Sequence, residues 1–498
     1  MMEEKKYVPA SEETIANLRE NMLKTADSCY KEMYVDMVLS EGLNRGLYDE
    51  IENQDKAYLD SLIRVHANVA YSHLCVCVQM RASLKATLNV EKQYNIRRCI
   101  VMAHEMYKYL YGFTGRNTPW LTIEERVRAQ YDNECIEIDE AAARFLERYA
   151  QNEDGTLRNV AKHYSDNPVE FFENMEKVNE RMVTDRMVAF LAFSQPIHAL
   201  LSRELDATLG LFYAVAMACP MPRQVFELTG LKKRDDIAEL SKGIEKYSGI
   251  VESVMTQMRM VKKLESQYGL NVSESEQWKG ITEDNVGLHI LYIYLDSITA
   301  FRAFTGSETF PETRQNLAYM ILLAHEGFKK LYGFNENKKK ESFWHRAVKD
   351  FLTANGDEEL IAEATRIEET LDKLAGCDIL KDEEMIVAYT HVGTIKKCGV
   401  ESPFAVLDYF RQTITPADLN PLLDFLRVMN DIVRLYTKVM GLESEKIKTE
   451  TNATLSGFLE KINFIDKMAA EHIVDAEQRA KWQEASEKMK ALLASLMN

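Results

Sequence analysis

The chain has 498 residues, a formal net charge of −17 and a pI near 5.3. Its 10 prolines and 21 glycines are too few for a collagen-like or linker-rich chain, and they disfavour a turn-dense all-β protein. The acidic balance repels nucleic acid and anionic membranes at long range, so neither is expected as a partner.

Apolar residues three and four positions apart recur along nearly the whole chain, which is the pattern of amphipathic helices. No proline occurs between Pro9 and Pro119, or between Pro222 and Pro311. Because an interior proline breaks a helix, such gaps favour long helices. The sequence therefore predicts an all-α protein.

The termini and the cysteines indicate the compartment. The opening MMEEKKYVPASEE lacks the apolar stretch of a secretory signal, and the most apolar segments, 187–193 and 209–221, are too short to span a bilayer. The eight cysteines include no Cys-x-x-Cys, so we expect free thiols in a reducing compartment. These features predict a cytoplasmic protein.

An internal repeat is the strongest feature of the chain. The segments NIRRCIVMAHEMYKYLYGF (95–113) and NLAYMILLAHEGFKKLYGF (316–334) align without gaps at an offset of 221, with 10 of 19 positions identical. Weaker matches flank them in the same order. The pattern predicts a tandem duplication. We expect one helical bundle at residues 10–220, a second at 230–445, and a helical tail at 450–497.

The repeated motif ends in L-Y-G-F, which is typical of a helix stop. Gly112 and Gly333 would adopt the left-handed conformation, and Phe113 and Phe334 would fold back onto the last turn. In the second copy Thr309 stands three residues before Glu312, which is the spacing of a capping box.

Polar residues occur at matching positions of both copies. They are Arg81, Asn95, His104, Glu105 and Tyr111 in the first copy, and Arg302, Asn316, His325, Glu326 and Tyr332 in the second. Each Arg precedes the motif by one loop and is expected level with the Asn of its own copy, which predicts an Arg–Asn hydrogen bond across the hairpin. We interpret the set as a partly buried polar network that fixes helix packing.

A second interpretation concerns Arg98 and His104, which lie on one predicted helix with five residues between them. This spacing in an all-helical context resembles the motif of HEPN ribonucleases. The resemblance implies that Arg98 and His104 would act on an RNA phosphodiester at a dimer cleft, without a metal. The second copy departs from the pattern, since Tyr319 stands at the position of Arg98.

A helix-borne metal site is a third interpretation. His66, His73 and Cys77 fall on one helical face, but the second copy has Gly287, Tyr294 and Ile298 at those positions. No His-Glu-x-x-His or di-iron pattern occurs. We therefore interpret these residues as scattered helix residues and predict neither a metal nor a cofactor.

No complete nucleotide-binding, hydrolase or metal motif is present in the sequence. The predicted function is a non-enzymatic protein-interaction or scaffold role, with another protein or a second copy of the chain as partner. The HEPN-like ribonuclease is the alternative.

Overall fold

A computed structural model of the protein describes residues 11–48, 55–112, 118–150, 168–220, 235–268, 286–355, 358–381, 404, 419–438 and short stretches between 456 and 490. Within these ranges every regular element is a helix and no strand occurs, so the all-α prediction is confirmed. The tail predicted at 450–497 lies mostly outside the described residues.

The first part of the chain forms seven α-helices within its described ranges. They are α1 (Glu12–Asn44), α2 (Lys56–Lys85), α3 (Asn89–Leu110), α4 (Pro119–Phe145), α5 (Pro168–Lys177), α6 (Glu180–Leu209) and α7 (Leu211–Ala218). A π-helical turn, Leu146–Ala150, continues α4. Side chains of Ser11, Asp55 and Asn179 accept backbone N–H groups and so begin α1, α2 and α6.

The second part of the chain also consists of long and short helices in its described ranges. The described elements are α8 (Asp235–Tyr268), α9 (Val286–Thr305), α10 (Phe310–Leu331), α11 (Glu336–Glu341), the π-helical turn His345–Lys349, α12 (Asp350–Asn355), α13 (Glu358–Ala375) and α14 (Asp378–Lys381). Residues 420–438 form a further helix.

The predicted helix stops are confirmed where the structure describes them. Gly112 and Gly333 have φ angles of 64° and 81°, and the Gly333 N–H donates to the Phe328 carbonyl at 3.0 Å. Phe334 stacks on His325 with ring centroids 5.2 Å apart, so it does fold back onto the helix. Phe113 lies outside the described residues.

The predicted capping box between Thr309 and Glu312 is not formed, because neither of its two hydrogen bonds is present. The Thr309 hydroxyl makes no capping hydrogen bond at the start of α10. The Glu312 carboxylate accepts the N–H of Glu308 at 2.7 Å instead of that of Thr309. The predicted start of α10 at Thr309 is therefore correct, but the predicted backbone partner of the Glu312 carboxylate is wrong.

Two helical hairpins meet in the centre of the molecule. Helices α2 and α3 pack side by side, as do α9 and α10. Across the contact α2 packs on α10, and α3 packs on α9. We call this contact the hairpin junction. Residues 311–321 of α10 are all buried, whichever face of the helix they occupy, as expected of a helix at the centre of a core.

No helix in the described ranges combines the length and the apolar character needed to cross a membrane. The seven cysteines of these ranges are free thiols, in agreement with the sequence prediction. Cys398 lies outside them.

Candidate functional site

Reciprocal ion pairs connect the two hairpins at the junction. Arg81 on α2 binds Glu312 on α10 at 2.5 Å and Glu308 at 2.7 Å. Arg302 on α9 binds Glu91 on α3 at 2.8 Å. By the sequence offset of 221, Arg81 matches Arg302 and Glu91 matches Glu312. The same two positions therefore meet twice with the partners exchanged, which is the pattern of a two-fold, isologous contact.

Local structure holds the two carboxylates in place. Glu91 and Glu312 lie in the first turns of α3 and α10, where the helix dipole favours negative charge. Glu91 accepts the Leu88 N–H at 3.3 Å, and Glu312 accepts the Glu308 N–H. Both carboxylates are buried. Each one thus has a backbone donor from its own hairpin and a guanidinium from the other.

The hydrogen bond predicted between Arg81 and Asn95 is wrong, because the Arg81 guanidinium binds carboxylates of the other hairpin. In the second hairpin Asn316 donates to the Ala303 carbonyl at 3.1 Å and accepts from Gln79 of α2 at 3.2 Å. Charge-assisted bonds are roughly twice as strong as neutral ones, so a carboxylate within reach displaces the expected amide.

A second ion-pair centre lies deeper in the junction. Asp296 on α9 is fully buried and binds the guanidinium groups of Arg97 and Arg98 on α3. Arg98 also donates to Gln79 at 3.0 Å and lies 4.9 Å above the ring of Tyr319. Arg98 and Tyr319 are matching positions of the repeat, so the motif meets its own copy here.

Arg98 and His104, the pair of the ribonuclease interpretation, have different surroundings. Arg98 is buried in the junction and held by Asp296 and Gln79, whereas His104 is only half-buried. An RNA phosphodiester would have to break the Asp296 ion pair to reach the guanidinium.

The remaining motif residues lie at the opposite end of the hairpins. Tyr111 donates to Asp139 at 3.2 Å, and Tyr332 donates to Asp372 at 2.7 Å. Each aspartate also binds a cation, Arg128 in the first half and Lys339 in the second. Sequence reasoning missed both aspartates, because no pattern links them to the motif.

The His-Glu pairs of the motif have unequal surroundings. His325 is buried and its Nδ1 lies 2.6 Å from the Leu380 carbonyl, whereas its match His104 is half-buried. Glu105 is buried and Glu326 is half-buried. The ten predicted network residues thus separate into a junction group and a group at the motif ends.

A cluster of three histidines lies in the first half, away from the repeated motif. His66 on α2 lies with Nδ1 2.7 Å from Asp36 of α1 and with Nε2 2.8 Å from the Ser202 hydroxyl of α6. The His198 ring stacks on His66 at 4.3 Å, and its Nε2 lies 3.2 Å from Glu32.

His73, two turns further along the same face of α2, completes the cluster. Its Nε2 lies 2.9 Å from the Ser194 hydroxyl, and its ring meets that of His198 edge-on at 5.6 Å. His73, His198, Glu32 and Cys29 line a cavity of about 440 Å³ between α1, α2 and α6.

Burial and charge set different protonation states for the three histidines. Burial opposes a proton on His66, but the Asp36 carboxylate outweighs it and raises the pKa of His66. Burial lowers the pKa of His73 to about 3, with a further contribution from the other two rings. Burial and the neighbouring His66 charge lower the pKa of His198. The surroundings thus favour a proton on His66 and the neutral form of His73 and His198.

The sequence placed His66 and His73 on one face of α2, which is correct, but it did not find their partners. Asp36 comes from α1 and His198 from α6, more than a hundred residues further along. At the matching positions of the second half Gly287 and Tyr294 stand in place of His66 and His73. There a side chain at Gly287 would collide with the ring of Tyr436.

No group of three or more His, Cys, Asp or Glu side chains in the described ranges is arranged to hold a metal ion. No protein-family model matches the chain, and neither a curated protein nor a solved structure does.

His73 makes the stability of the protein pH-dependent. The unfolded side chain takes up a proton near pH 6.5, but the folded one does so only near pH 3. Its contribution to stability is therefore complete above pH 6.5 and is lost as the pH falls, by about 2 kcal/mol between pH 7.5 and 5. His198 acts in the same direction and His66 in the opposite one.

We expect His73→Gln to reduce the loss of unfolding free energy between pH 7.5 and pH 5 by about 2 kcal/mol. Urea unfolding of both proteins at the two pH values measures this difference. If the variant lost as much unfolding free energy between the two pH values as the wild type does, folded His73 would accept a proton as readily as the unfolded side chain.

Proposed function

We propose that the protein is a non-enzymatic helical scaffold that binds another protein or a second copy of itself. We further propose that residues 10–220 and 230–445 descend from one duplicated helical unit, followed by a helical tail at 450–497.

Matching geometry in the two halves supports the duplication. Helices α3 and α10 have the same length, 22 residues, and carry the motif in the same register. Both motif tyrosines bind an aspartate of a later helix. A fully buried tryptophan follows the motif in each half. It is Trp120 after the first motif and Trp344 after the second. The reciprocal ion pairs of the junction add contacts typical of a symmetric dimer.

The interaction role depends on one observation, the exposed apolar surface of α7. Leu211 and Val215 are 79% and 56% exposed, and the exposed Phe212 ring lies 5.1 Å from Tyr48. Leu47, next to Tyr48, is also exposed. Contiguous apolar surface of this kind is typical of sites that contact other proteins. We call these four residues, Leu47, Leu211, Phe212 and Val215, the α7 patch.

The junction also favours a scaffold over the ribonuclease. The arginines and glutamates common to both copies bind one another inside the protein. Arg98, which has no counterpart arginine in the second copy, is buried in the same junction. A rigid connection between two bundles is useful to a protein that positions partners.

The mass of the full-length protein, isolated from its source under mild conditions, tests this proposal. We expect light scattering to give a discrete mass above the 57.3 kDa of one chain. The double substitution Leu211→Glu with Val215→Glu should return the mass to that of one chain. Val188→Glu is the matched control, because Val188 is 63% exposed on α6 but lies outside the α7 patch.

Two results would contradict the proposal. One is a single-chain mass with no stoichiometric partner under all conditions. The other is cleavage of labelled RNA by the wild-type protein that is lost in His104→Ala while the circular dichroism stays unchanged.

A further inference from the structure

A cavity of about 170 Å³ lies at the hairpin junction, where the ends of α2 and α9 meet the first turns of α3 and α10. Its wall includes Lys85, Glu91, Asn95, Thr299, Arg302 and Glu312. A single water needs roughly 10–15 Å³ of such space, so the cavity has room for a molecule of several heavy atoms.

Two polar atoms in the wall have no partner among the described residues. They are Oδ1 of Asn95 and Oγ1 of Thr299, whose side chains are 3% and 1% exposed. A buried polar atom without a hydrogen bond costs about 1–3 kcal/mol, so such atoms in a cavity wall indicate a bound partner.

The two copies differ at the wall of the cavity. Gly306 stands where the first copy has Lys85, so one long side chain is missing from the junction. The amide of Asn316, which matches Asn95, is fully used by Ala303, Ser307 and Gln79. Of these two matching asparagines, Asn95 is therefore the one whose Oδ1 has no partner among the described residues.

The charges around the cavity are already balanced. Arg302 pairs with Glu91, and Arg81 pairs with Glu312. Lys85 binds Glu308 at 2.6 Å and donates to the Gly306 carbonyl at 2.7 Å. A charged ligand would leave an unmatched charge in a partly buried site, which is costly. The balance favours an uncharged ligand.

We propose that this cavity binds a small uncharged molecule with an amide group. An amide N–H would donate to Asn95 Oδ1, and the amide carbonyl would accept the Thr299 hydroxyl. The ligand would lie between the two halves of the protein and fasten them together. The site does not depend on the scaffold role, since it rests on the junction alone.

Acetamide is the probe for this site, because it carries both groups and is small. Ligand-observed NMR titration of the full-length protein should give saturable binding with a Kd of about 1–10 mM, in the range expected for four heavy atoms. Sodium acetate and methylammonium chloride, of similar size but charged, should not saturate.

Asn95→Leu should weaken acetamide binding at least about tenfold, the effect of losing one hydrogen bond from a buried partner. Asn133→Leu, an exposed position on α4, is the matched control and should bind as the wild type does. Thr299→Val, which keeps the side-chain shape, provides a second variant and should weaken binding about threefold or more.

The proposal is overturned if acetamide does not saturate the wild-type protein, which would mean that the cavity holds water only. It is also overturned if both Thr299→Val and Asn95→Leu bind acetamide as tightly as Asn133→Leu does. Equal binding of acetate would exclude the uncharged class.

Discussion

Replacing Asp296 with asparagine is expected to lower the free energy of unfolding by about 3–5 kcal/mol. The substitution keeps the shape of the side chain but removes the negative charge that Arg97 and Arg98 share. All three groups are buried, so two guanidinium ions would face a neutral amide in a region of low dielectric. Urea unfolding followed by circular dichroism measures the loss.

Asp185→Asn is the matched control for this substitution. Asp185 is exposed on α6, and its replacement should change the unfolding free energy by less than about 0.5 kcal/mol. A loss below about 1 kcal/mol for Asp296→Asn would show that the two guanidinium groups find other acceptors. In that case the ion-pair centre would not be what holds the hairpins together.

Arg81→Ala is the second large effect, with an expected loss of about 3–5 kcal/mol. The substitution leaves the buried Glu312 carboxylate without its closest guanidinium. Glu312→Ala removes the carboxylate instead, and the double variant removes both. Because the two side chains interact directly, the double variant should lose less than the sum of the single losses, by about 1.5 kcal/mol or more.

The reciprocal pair provides an internal comparison. Arg302 binds Glu91 in the same way, but its side chain is 32% exposed, against 5% for Arg81. Since water screens the Arg302–Glu91 pair, Arg302→Ala should lower the unfolding free energy by less than Arg81→Ala does, about 1–2 kcal/mol. Additive losses for Arg81 and Glu312 would contradict a direct interaction. If Arg302→Ala and Arg81→Ala lowered the unfolding free energy equally, burial would not be what makes the Arg81 pair stronger.

The reciprocal contacts also bear on the proposed duplication. An interface in which position 81 meets position 312, while 302 meets 91, can form between two identical subunits before any fusion. Asp296 and Tyr319 break the symmetry, because their matches are Cys75 and Arg98. A fused chain allows such changes on one side alone, whereas in a homodimer each change would occur twice.

Some features of the site were predictable and others were not. Gly333 could be placed in the left-handed conformation because its neighbours within one turn determine that geometry. Arg81 and Asn95 were expected to bind because both belong to one hairpin. The structure instead gives Arg81 a carboxylate 231 residues away along the chain. A pattern of neighbouring residues cannot predict a partner at that separation along the chain.

The histidine cluster shows the same limit. Helical spacing placed His66 and His73 on one face of α2, but the partners Asp36 and His198 belong to α1 and α6. Whether a helix histidine is a hydrated surface residue or a charged group on a buried carboxylate depends on what packs against it. The pKa of His73 is lowered by burial, which only the packing creates.

Helix type, helix ends and the internal repeat were determined by the sequence alone, because each depends on residues a few positions apart or on direct comparison of two segments. The partners of the charged residues, the junction cavity and the protonation of the histidines were decided only by tertiary structure. Their energies depend on burial and on distances between atoms that lie far apart along the chain, and these exist only once the helices have packed.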